Sequence, residues 1–132
     1  MATVLQRLAG PGNSIRVTTE IALPVTATAN TDYPAIAFPP GATDVTYRTY
    51  TTTAYTAGTD AKISIGSTAG GVDYVAATTI AAIGVKSHTP VDAAAAFHLA
   101  PGALTAFVRV TQTGAATAVG AATLAISYSV PV

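Results

Sequence analysis

Only 9% of the 132 residues are Asp, Glu, Lys or Arg, six basic against six acidic, for a formal net charge of +0. An ordinary soluble domain carries roughly 25%, and a chain this neutral has no field to hold a polyanion, so nucleic acid and anionic membrane are not expected partners. The absence of cysteine excludes disulfides, thiolate nucleophiles and Cys-ligated zinc.

The length fits a single domain. Half of the residues are hydrophobic and the mean hydropathy is +0.48, yet no apolar run approaches the ~20 residues of a spanning helix. The excess comes from Ala and Val interleaved with Thr and Ser. The opening Met1 to Leu8 shows no basic segment followed by an apolar one, so no export signal is visible and assembly in the cytoplasm is expected. A core of small side chains buries little area per residue, at roughly 25 cal/mol per Å². Further burial between subunits, in a homo-oligomer, is therefore expected.

Along the chain, short alternating runs are separated by Gly, Pro, Asn and Asp, the pattern of an all-β fold. Residues 1 to 13 end in the breaker cluster Ala9-Gly10-Pro11-Gly12-Asn13 and read as an N-terminal arm, leaving 14 to 132 as one domain. Ile15, Val17, Thr19, Ile21 and Leu23 then share one face of a strand, with Arg16, Thr18 and Glu20 on the other. A short run from Val25 to Ala29 reads as ending in a turn at Asn30-Thr31-Asp32. Tyr33 to Phe38 is extended but contains Pro34, which places it at a sheet edge or as a crossing between strands.

The segment from Asp44 to Thr56 predicts the longest strand, with Val45, Tyr47 and Thr49 opposite Thr46, Arg48 and Tyr50. Ala61, Ile63 and Ile65 alternate in the next strand, and Thr68 to Gly71 is a turn. Val72 to Ile83 lacks crisp alternation and fits a strand, a loop or one helical turn. Val85 to His88 reads as a short strand. Asp92 caps a possible turn of helix through Ala93 to Ala96. Leu104 to Thr111 and Leu124 to Val130 alternate strongly, and we read them as an antiparallel pair joined across Gly114 to Gly120. The natural architecture is an antiparallel β-sandwich, either a jelly roll or another Greek key.

The residues that carry chemistry do not form a recognisable set. His88, His98 and Asp92 match no ligand spacing and read as surface or loop residues. Glu20 and the five Asp residues sit mostly beside turns, where Asp bonds its own backbone. Ser67, within Gly66 to Gly71, has neither the nucleophile-elbow nor the phosphate-loop spacing and reads as a β-turn. No catalytic residue, metal or cofactor is therefore expected, and the chain is not expected to be an enzyme. Tyr47, Tyr50 and Tyr55 form a candidate contact patch, because Tyr joins an apolar body to a hydroxyl; the same residues also suit core packing.

The Ala/Thr/Gly richness, the segment Lys62 to Gly71 and the terminal runs Ala106 to Thr111 and Leu124 to Tyr128 resemble the small β-sandwich virion proteins of tailed bacteriophages and gene transfer particles. That resemblance implies a virion protein assembled in the host cytoplasm, decorating a capsid or forming a head spike. Its partners would be copies of itself, as a trimer or pentamer, and the major capsid protein. Alternatives are a tail structural component, or a carbohydrate- or surface-binding module that uses Tyr side chains.

Overall fold

A computed structural model describes residues 2–7, 14–25, 29–56, 60–90, 104–114 and 119–131. The described residues are organised as nine strands: β1 (Ala2–Arg7), β2 (Ser14–Pro24), β3 (Asn30–Phe38), β4 (Thr43–Thr53), β5 (Asp60–Gly66), β6 (Val75–Thr79), β7 (Gly84–His88), β8 (Leu104–Thr113) and β9 (Ala121–Pro131). Every pairing is antiparallel.

The pairings are nested. β5 and β6 form the innermost hairpin, enclosed by β4 with β7, then β3 with β8, then β2 with β9. This eight-strand hairpin is rolled so that β4 also lies beside β9 and β5 beside β8. The result is a five-stranded sheet in the order β1-β2-β9-β4-β7 facing a four-stranded sheet in the order β3-β8-β5-β6. Nested pairs falling alternately in two sheets are the mark of a jelly roll built from two Greek keys. β1 extends the first sheet at its edge, so residues 2–7 of the expected arm form a strand against β2; residues 8–13 lie outside the described residues.

Strict alternation sends one face of each long strand inward. Leu23 on β2, Tyr47 on β4, Ile63 and Ile65 on β5, and Leu124 and Ile126 on β9 are essentially fully buried. Phe38 of β3 meets Tyr128 of β9 edge to face across the two sheets, with ring centroids 5.3 Å apart, a favoured aromatic geometry. β3 lies at the edge of its sheet, where Pro34 falls in a register shift between Tyr33 and Ile36. A proline has no N–H to give a ladder, so an edge with a bulge is where it fits.

Two expectations change, and one segment left open takes the strand among its alternatives. Leu104 to Thr111 and Leu124 to Val130 are strands but not partners: β8 pairs with β3 and β5, β9 with β2 and β4. β8 lies in the four-stranded sheet and β9 in the five-stranded one, and packed sheets stand ~10 Å apart. Asn30-Thr31-Asp32 is not a turn but the start of β3, and Asp32 pairs with Arg109 in the β8 register. The ambiguous 72–83 segment contains the short edge strand β6, most of whose residues are exposed, so no buried face imposes a period on it. The possible helical turn at 93–96 lies outside the described residues.

Candidate interaction surfaces

The tyrosine patch does not assemble. Tyr47 is 1% exposed, and Tyr55 is also buried. Burial pushes both phenols up from their ordinary pKa. The Tyr55 ring lies against Gly120, where an added Cβ would fall 2.7 Å from Tyr55 Cδ1, so glycine is needed there for the ring to seat. Tyr50 alone of the three reaches the outer face, half-buried.

What the outer face of the five-stranded sheet offers instead is a polar trough of about 340 Å³, walled by Arg16, Thr18 and Glu20 of β2 and by Thr46, Arg48 and Tyr50 of β4. Its floor is Ala125 and Ser127 of β9, the strand between them. Short floor residues between long wall residues make the depression. One end is tied shut: Arg16 donates to the Asp44 carbonyl at 2.8 Å, to Ser129 Oγ at 3.2 Å and to Thr46 Oγ1 at 3.0 Å. Thr18 and Ser127 share a hydroxyl bond of 2.8 Å in the next row. Both walls are visible in the sequence as outward-facing residues. Their approach to each other is not, because it depends on β9 inserting between β2 and β4.

The opposite sheet carries a second built feature. Arg109 of β8 grips Asp32 of β3 with two hydrogen bonds of 2.6 and 2.9 Å. The guanidinium hydrogen bond, followed by its charge as a lesser cause, holds the exposed Asp32 carboxyl below the usual carboxylate range. The Arg109 side chain also lies over Gly70. Ser67 belongs to this loop as a turn residue, as its surroundings predict. Its Oγ and N–H both donate to Asp73, at 2.6 and 2.9 Å, and Gly71 N donates to the Thr68 carbonyl at 2.9 Å. The two bonds from Ser67 lower the Asp73 pKa and hold the β5–β6 loop.

His88 is neither a surface nor a loop residue: it ends β7 and is 6% exposed. The register with β4 sets its ring beside the buried Tyr47, where Nε2 bonds Thr49 Oγ1 at 2.8 Å. Its Nδ1 has no partner among the described residues. Burial, and secondarily the nearby Lys86 charge, lower its pKa from the ordinary 6.5. The folded state thus resists the imidazolium form. Stability is expected to be full above pH ~6.5 and to fall as pH drops below the unfolded-state value, whereas His88→Phe should flatten that segment of the curve. Urea midpoints measured from pH 8 to pH 5 check this; equal slopes in the two proteins would contradict it.

A shallow hollow of about 510 Å³ lies where β6 passes to β7, lined by Thr51, Asp60 and residues 79–86. Ile83 and Val85 stand exposed beside it. Among the described residues no three His, Asp or Glu side chains come together in a way that could hold a metal ion, and no helix is long and apolar enough to cross a membrane. His98 and Asp92 lie outside the described residues. Comparison of the chain with protein-family models, with curated proteins and with solved structures gives no match.

Proposed function

We propose that the chain is a non-catalytic structural subunit of a phage-like virion, a capsid decoration or head-spike protein assembled in the host cytoplasm. It acts through contacts with copies of itself, in rings of three or five, and with the major capsid protein.

The observation that carries this reading is the jelly-roll strand order around an interior filled by the protein's own side chains, such as Leu23, Ile63 and Leu124. Jelly rolls serve viral capsids, lectins and cupins. With the interior occupied, recognition falls to the outer faces. The chain as a whole carries only 9% charged residues, and few charges at the centre of a contact suit close packing between subunits.

The test is the protein content of particles purified by density gradient from the host that encodes the chain. Stoichiometric copies, seen as ordered density on the capsid surface by cryo-electron microscopy, are expected. Particles that form and lack the chain would refute the reading.

A carbohydrate-binding module is the second reading, favoured by one observation: Tyr50 walls a trough that also presents Arg48 and hydroxyls. Glycan-array binding that disappears with Tyr50→Ala would support it in place of the first.

A further inference from the structure

Three charged side chains line the walls of the trough, and the sign differs across it between Glu20 and Arg48. On the β2 side Arg16 is followed by Glu20, and on the β4 side Arg48 is the charged residue; Asp44 offers only its backbone carbonyl to Arg16, from within the register shift between Thr43 and Thr46. The registers set Glu20 beside Ala125 and Ala125 beside Arg48. Glu20 and Arg48 are therefore two strand spacings apart, ~10 Å, with only a methyl group between them. Both are exposed, and neither forms an ion pair or side-chain hydrogen bond among the described residues. Arg16, by contrast, is already committed to Asp44, Thr46 and Ser129.

We propose that this face is a contact between two copies of the chain, related by a two-fold axis running along β9, with Glu20 of each copy against Arg48 of the other. The inference rests on the structural-subunit reading and deepens it by naming a self-contact, additional to any three- or five-fold ring.

The sign pattern selects the axis. Rotation about β9 exchanges the β2 side with the β4 side, so each Glu20 lands on an Arg48 and each Arg16 on the Thr43 to Thr46 end of β4. The other two-fold in the plane of the sheet runs across the strands and keeps each side over itself. Centred on the Glu20 row, it sets carboxylate against carboxylate. Centred on the Thr18 row, it sets Glu20 against an Arg16 whose guanidinium is already bonded. Only the axis along β9 joins Glu20 to Arg48. The floor of Ala125 and Ser127 lets the faces approach to the ~10 Å at which sheets pack, and a self-complementary patch of this kind is what an isologous contact requires.

The test uses Glu20→Arg and Arg48→Glu in the full chain, with mass followed by light scattering from about 1 to about 200 μM, a range that brackets weak self-association. Both residues are exposed, so both variants should fold, which circular dichroism checks. Each variant alone sets like charges face to face and should weaken this association at least tenfold. An equimolar mixture of the two should associate as tightly as the unaltered chain, because the arginine introduced in one variant then meets the glutamate introduced in the other. The second pair of that mixed contact is the native one, Arg48 of the first variant against Glu20 of the second. Association should also weaken as salt is raised from about 50 to about 500 mM, as screening of surface charges demands. Variants that keep the mass of an oligomeric parent, or a mixture that fails to restore association, would overturn the contact and leave the subunit reading standing. A parent chain that stays monomeric at every concentration would overturn both.

Discussion

Replacing Tyr47 with alanine is expected to destabilise the fold by roughly 3–5 kcal/mol, the cost of removing a fully buried aromatic side chain. Tyr50→Ala, three residues along the same strand, is expected to cost about 1 kcal/mol or less. Tyr47 faces inward from β4, between His88 of β7 and Ile126 of β9 in the register, and is 1% exposed. Its loss opens a cavity that the neighbouring strands, fixed by their own ladders, cannot close. Tyr50 sits on the opposite face in the trough wall, where truncation leaves a surface notch that water fills. Urea denaturation of the two variants checks the assignment. Equal losses would mean that the faces of β4 are wrongly assigned.

Leu124→Ala and Ile63→Ala, one in each sheet, are each expected to cost about 2–5 kcal/mol and to lower the midpoint of a single shared transition. Leu124 is 0% exposed on β9, between β2 and β4. Ile63 is equally buried on β5, between β8 and β6. The two sheets bury their inner faces against one another and have no other partner for them among the described residues, so neither should survive without the other. Fluorescence and circular dichroism should therefore report coincident unfolding curves in both variants. Separate transitions for the two probes would contradict a common core.

The inward faces of the fold are legible in the sequence because they depend only on a two-residue period. Val17, Ile21 and Leu23, then Val45 and Tyr47, then Ala106, Val108 and Val110 alternate in the sequence and are buried in the structure. The proline at position 34 narrows its segment to a sheet edge or a crossing for an equally local reason, its missing N–H, and β3 is an edge strand. Neighbourhood is not legible. Alternation tells β8 and β9 which side to bury but not which strand lies alongside, so two consecutive, strongly patterned strands read as a hairpin although they belong to opposite sheets. The short edge strands fail differently. β6 buries only Val75 of its five residues, and a strand without a buried face writes no period into its sequence.

The surfaces follow the same division. The outward Arg16, Thr18 and Glu20 of one strand and Thr46, Arg48 and Tyr50 of another can each be read locally. The trough they make needs the position of β9 between them. The tyrosine patch fails because it groups Tyr47, Tyr50 and Tyr55 by type, whereas Tyr47 and Tyr50 differ by an odd number of residues and must point to opposite faces. His88 reads as a surface or loop residue because its spacing from His98 and Asp92 matches no ligand set. Its burial comes from the β4–β7 register, which sets it against Tyr47, and from the Thr49 hydroxyl that accepts from or donates to its ring.

The central claim is that this chain works by packing against copies of itself, and the native mass of the unmodified protein tests it most directly. Light scattering at low salt is predicted to give a whole-number multiple of the 13.1 kDa chain, two copies at least, at concentrations from a few micromolar upward. A mass of one chain across the whole range would contradict the account.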